Sequence, residues 1–95
     1  MTQVSARASA EKTFAQVRFF GKIADRFGRA AMLEIPAAGC SLPCLKARLA
    51  DQFDGADEAL AEPGLRVAVD HLIVSDRAWV RSGQEVAFLS MFSGG

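Results

Sequence analysis

The sequence carries no excess of charge of either sign, since eleven lysines and arginines offset eleven aspartates and glutamates. Such a balance leaves no electrostatic footprint for nucleic acid or for an anionic membrane surface. No apolar run approaches the roughly 18 residues of a membrane span. Residues 1–13, rich in Ala and Ser with two basic residues and one acidic, lack the apolar stretch of a secretory signal. With only two cysteines, the chain does not have the disulfide framework of a small secreted scaffold. These absences point to a soluble cytoplasmic protein.

Reactive side chains are equally scarce. There is a single histidine, His71, so a Ser–His or Cys–His pair has one possible base, and its place between two apolar runs reads as a solvated turn. Cys40 and Cys44 offer two thiols where a metal site needs three or four convergent ligands and an iron–sulfur cluster needs four thiolates. No metal site is therefore expected, and the two cysteines read as small residues packed at a helix start. The eight glycines are scattered singly apart from the final pair, which excludes a glycine-rich phosphate loop.

What is present is a good core in a short chain. Of 95 residues, 51% are apolar, including seven phenylalanines, enough for one domain and too few for two. Residues 1–13 show no periodicity that would bury a face and read as a flexible extension. Residues 14–95 form the domain. From Phe14 to Phe20 the pattern alternates, with Val17 and Phe19 on one face. Lys22 to Phe27 suits a short helix stopped by Gly28, and Ala31 to Ile35 a second strand, with Leu33 and Ile35 inward. The main helix follows: Ser41 as N-cap, Pro43 in the first turn, and Leu42, Leu45, Leu49 and Phe53 as one apolar stripe. After a further helical turn within residues 56–62 come Leu65–Val69, a turn at Asp70-His71, Leu72–Val74 and the last strand, Glu85–Leu89. Strand, strand, helix and then two or three strands make an α+β domain of the β-grasp type: a mixed sheet of four to five strands with one main helix on one face. The first and last strands would lie side by side in its middle.

Two features single out the C-terminus. At ordinary usage, two final glycines occur by chance roughly once in two hundred chains. A Gly-Gly end without side chains can thread a tunnel too narrow for any Cβ. Residues 90–95, if extended, reach about 20 Å, which would carry the carboxylate of Gly95 into another protein's active site. Met91 and Phe92 precede Ser93-Gly94-Gly95, and large apolar residues on a tail call for something to bury them. The second feature is one of phase. Phe20, Leu89 and Ile73 fall out of step with the core positions of their strands. On neighbouring strands they would share the face opposite the helix, and with Met91 and Phe92 form an apolar partner surface leading to the tail.

Residues 16–95 resemble the small, sulfur-carrying subunit of molybdopterin synthase, within the wider group of bacterial ubiquitin-like sulfur carriers. The segments that carry the likeness are Val17–Ala24, Val69–Ser75, Gly83–Leu89 and Ser93-Gly94-Gly95. The resemblance implies a ubiquitin-like β-grasp fold and a chain that is not catalytic alone. It implies that an activating enzyme resembling ubiquitin E1 spends ATP to adenylate Gly95, that a sulfur donor protein converts the adenylate to a thiocarboxylate, and that a large catalytic subunit, in a heterotetramer, passes the sulfur to a pterin precursor of molybdopterin. It also implies that the chain itself binds no cofactor. Phe20, Ile73 and Leu89 align with family positions that meet these partners. Many members have two prolines before the terminal residues, where this chain has Ser90 and Met91. The same chemistry serves thiamine, cysteine and tRNA thiolation; a ubiquitin-like modifier conjugated through Gly95 and a binding domain with an inert terminus are the other readings.

Overall fold

The structure is a computed structural model that describes residues 12–90. Strand β1 (Thr13–Gly21) buries Ala15, Val17 and Phe19 on one face and turns Gln16, Arg18 and Phe20 outward, as a period of two requires. It runs into the short helix α1 (Lys22–Phe27), whose Ile23 is buried. Strand β2 (Ala30–Ile35) returns antiparallel to β1, from Arg18 opposite Ala30 to Thr13 opposite Ile35, and buries Leu33 and Ile35.

Helix α2 (Leu42–Gln52) starts where the capping pattern placed it: the Ser41 hydroxyl accepts a hydrogen bond from the Cys44 amide at 3.2 Å, and Pro43 occupies the first turn. Leu42, Leu45 and Leu49 are fully buried. A single turn of helix, α3 (Ala56–Leu60), leads to the β4 strand (Leu65–Val69) and β5 (Leu72–Val74), which form a hairpin. Asp70 and His71 both take positive φ, 49° and 73°, as a two-residue turn of the I′ type demands. Strands β3 (Cys40–Ser41) and β6 (Trp79–Val80) make a separate two-stranded ladder, and β7 (Glu85–Ser90) completes the main sheet.

The main sheet has the order β2-β1-β7-β4-β5, with β1 and β7 parallel and every other pair antiparallel. This is the mixed five-stranded β-grasp sheet. The first and last strands of the sequence meet in its middle, with Val17 opposite Val86 and Phe19 opposite Phe88. Phe19 stacks on Phe88 at 6.0 Å between ring centroids, meets Phe53 edge-on at 6.1 Å and lies 5.7 Å from Phe27. One strand residue thus ties α1 and the end of α2 to the sheet, each aromatic pair contributing about 1 kcal/mol beyond its buried area.

The chain departs from the sequence reading in four places. Thr13, read as the last residue of the extension, belongs to β1, and its hydroxyl donates to the carbonyl of Ile35 at 2.6 Å. The β3–β6 ladder is too short to leave a periodic trace. Cys40 is buried as expected, but Cys44 is exposed on the first turn of α2. Leu72, in phase with the core positions, is 70% exposed, because β5 is a three-residue edge strand with one flank open to solvent.

Leu45→Ala leaves a cavity under α2 and should lower the unfolding free energy by about 2–5 kcal/mol. Leu72→Ser, on the open edge, should change it by no more than about 0.5 kcal/mol. Urea denaturation of the two variants beside the wild type measures both.

Candidate functional site

The sheet has two unlike faces. One is covered by α2; the other carries no helix among the described residues, and its residues are set by cross-strand register. Phe20 on β1 is opposite Leu89 on β7, which is opposite Arg66 on β4. One pleat further, Arg18, Ala87, Ala68 and Ile73 follow one another across β1, β7, β4 and β5. Phe20 is 43% exposed and Ile73 60%, while Ala68 and Ala87 between them are buried. Large side chains at the sides and small ones in the middle leave a shallow hollow of about 280 Å³, with Phe20, Leu89 and Ile73 in its wall and the two alanines in its lining.

The structure therefore brings Phe20, Ile73 and Leu89 to one depression. Met91, Phe92, Ser93, Gly94 and Gly95 lie outside the described residues. The covalent route to them starts at Ser90, the last residue of the central strand, which pairs with Gly21 on one side and Leu65 on the other.

One side of the hollow is polar. Arg18 Nε lies 3.0 Å from the Glu85 carboxylate, and the exposed His71 reaches the same carboxylate with Nε2 at 3.6 Å. Neighbouring Asp70 pins the hairpin to the start of β7: one carboxylate oxygen accepts the Glu85 amide at 3.0 Å and the other accepts the Gln84 side-chain amide at 2.9 Å. These bonds to its charged form hold the Asp70 carboxyl below its ordinary range, the Glu85 amide contributing most and Gln84 next. Arg66, exposed beside Leu89, has no ion-pair partner among the described residues.

Ala68, Ala87, Arg18 and Glu85 were not singled out by their residue types. Their signal is the same phase that marks Phe20 and Leu89, since positions 66 and 68 and positions 85, 87 and 89 alternate with buried Val67, Val86 and Phe88. At Cys40, burial, then the neighbouring Cys44, pushes the thiol pKa up, opposite to what a reactive thiolate needs. Among the described residues no three His, Cys, Asp or Glu side chains are grouped to hold a metal, and no helix is long and apolar enough to cross a membrane.

A mixed sheet with a parallel central pair, a helix across one face and an apolar hollow on the other defines a ubiquitin-like β-grasp domain. Residues 17–95 match the ThiS family, and the chain belongs to that family of ubiquitin-like sulfur carriers. No curated protein sequence matches it. Among solved structures, it is similar to SAMP1 from Haloferax volcanii, with a TM-score of 0.74 at 13% identity over 86% of this chain and 99% of that one. The small archaeal modifier protein 1 from Methanosarcina acetivorans gives 0.70 at 14% identity over 90% and 100%. The HVO 2177 protein of Haloferax volcanii gives 0.68 at 18% identity over 88% of each chain. At these identities the structural likeness establishes the fold.

The pinned carboxylate has a pH signature. Because the Asp70 pKa is lowered by folding, its contribution to stability is complete above the unfolded carboxylate pKa of about 3.9 and disappears as pH falls through the lower folded value. Asp70→Asn keeps a residue suited to positive φ and removes the charge. The wild type should exceed this variant in urea midpoint at pH 7, and the gap should close as pH drops below about 4.

Proposed function

We propose that the chain carries sulfur on its own C-terminal carboxylate for molybdopterin synthesis. The observation that carries this reading is the placement of β7: the strand whose last residue, Ser90, precedes Gly95 by five residues runs through the sheet centre, along the wall of the apolar hollow. Membership of the ThiS family supports the sulfur-carrier part of this reading. A partner that docks on Phe20, Ile73 and Leu89 meets the root of the tail in the same contact.

The chemistry follows from the weakness of a carboxylate as an electrophile. In an activating enzyme resembling ubiquitin E1, a Gly95 carboxylate oxygen attacks the α-phosphorus of ATP, the bond to the β-phosphate breaks, and pyrophosphate leaves. A persulfide sulfur on a donor protein then attacks the carbonyl carbon of the adenylate and expels AMP. A thiol attacks the donor sulfur of the resulting acyl disulfide, forming a donor disulfide and releasing the thiocarboxylate on Gly95. In the large subunit of a heterotetrameric synthase, that sulfur attacks a carbon of the pterin precursor and displaces an oxygen substituent from it. Water then cleaves the acyl–sulfur bond, restoring the Gly95 carboxylate and leaving the sulfur on the pterin. In this reading Met91, Phe92 and Ser93 bind the partner, the side-chain-free Gly94 and Gly95 suit a narrow tunnel in it, and ATP stays with the activating enzyme. The cytoplasm supplies ATP and the reducing thiol.

Conjugation through Gly95 to lysines of other proteins is the second reading, favoured by the fold likeness to two small archaeal modifier proteins. An isopeptide-linked Gly95 in whole-cell digests would select it, and rescue of molybdopterin synthesis by the chain would select the first.

On co-expression with its activating enzyme and sulfur donor, the chain should gain about 16 Da, the same increment as one methionine oxidation, so fragmentation must place it at Gly95. The gain should vanish when Gly95 is deleted. Ile73→Asp, on an exposed position, should leave the urea midpoint unchanged and lower the loading rate by about tenfold or more, as loss of a central interface contact does.

A further inference from the structure

The last pair of the parallel ladder, Gly21 with Ser90, is closer than any other residue type at position 21 would allow. Gly21 has φ of +80°, and a Cβ placed on it would lie 2.6 Å from the Ser90 carbonyl oxygen and 3.2 Å from the Ser90 Cβ. The obstacle is backbone, so it cannot swing aside. Leu65 pairs with Ser90 from the other flank. Ser90 is thus held on both sides at the point where the chain continues towards Gly95. A strand-end residue ordinarily frays.

We propose that Gly21 is a positioning residue for the C-terminal carboxylate: by letting β1 close on Ser90, it fixes the point and direction from which residues 91–95 set out. The inference rests on the carrier reading above. Five residues span at most about 18 Å, so the place at which Ser90 is held bounds where the Gly95 carboxylate can be delivered, and a misplacement of about 1 Å at a reacting group costs up to 10²-fold in rate. Positions 90 and 91 hold Ser and Met, so proline does not stiffen this exit. At position 90 a proline would bring no N–H to a strand paired on both flanks.

Gly28 provides the matching control. It also has positive φ, +89°, but a Cβ there meets nothing within 4 Å, so Gly28→Ala carries the backbone strain without the collision. Pyrophosphate release by the activating enzyme is measured with the full chain, Gly21→Ala and Gly28→Ala, each checked for folding by its urea midpoint. Gly21→Ala should lower kcat by about 10- to 100-fold with KM within about twofold, because docking on the sheet face is intact and delivery of the carboxylate is not. Gly28→Ala should match the wild type in both. A folded Gly21→Ala with wild-type kcat would overturn the proposal, as would an equal loss in Gly28→Ala. Should Gly21→Ala fail to fold, ¹⁵N relaxation of the wild type decides: a Ser90 order parameter near 0.85 supports the clamp and a value below about 0.6 refutes it. Failure of the carrier reading looks different, since wild-type chain and chain lacking Gly95 would then both give no pyrophosphate with an enzyme active on another carrier.

Discussion

The parallel pairing of β1 with β7 is the constraint on which the rest depends. Its register, from Gln16 opposite Glu85 to Gly21 opposite Ser90, sets both faces of the sheet at once. On the inner face it aligns Val17 with Val86 and Phe19 with Phe88, and Phe19 then gathers Phe27 and Phe53. On the outer face it aligns Phe20 with Leu89 and Arg18 with Ala87. A slip of β1 by one residue would exchange its faces, exposing Val17 and Phe19 and burying Arg18 and Phe20. Core and candidate docking surface are therefore specified by one set of hydrogen bonds.

Much of this was legible because the decisive residues are large and their period is clean. Phe19 and Phe20 are adjacent, and alternation alone forces one inward and one outward; the same holds for Phe88 and Leu89. Ser41 with Pro43 marks the start of α2 because an N-cap acceptor and a first-turn proline satisfy local physics that does not wait for tertiary contacts. What escaped was long-range. The β3–β6 ladder joins Cys40 to Val80, and nothing local to either two-residue segment announces it. Leu72 has the right phase and the wrong neighbourhood, since phase says which face a residue occupies and not whether anything covers that face. Gly21 reads as an ordinary strand end until Ser90 is seen beside it.

The polar side of the hollow adds orientation to adhesion. Apolar contacts among Phe20, Leu89, Ala87 and Ile73 would hold a partner but fix its angle poorly. Charges placed asymmetrically select one angle and suppress wrong partners. Here Arg18 is neutralised by Glu85, whereas Arg66 stands beside Leu89 without an ion-pair partner among the described residues. Among the described residues, a paired cation at Arg18 and an unpaired one at Arg66 give the surface a direction, which a carrier that must present one end of its chain requires.

Joining the earliest strand to the latest also shapes how the molecule is made. The two halves of the central ladder are separated by about seventy residues, a large loop to close. During synthesis the β1–β2 hairpin emerges first, with Val17 and Phe19 facing a sheet centre that does not yet exist. Strands β4 and β5 follow, and they too lack the neighbour that will unite the sheet. Only when residues 85–90 leave the ribosome can both pieces lock, so β1 must be kept out of trouble while the residues between it and β7 are made. The appearance of an intact fold is thereby coupled to completion of the last strand, and a truncated product would be left without a sheet for quality control to mistake for the finished carrier.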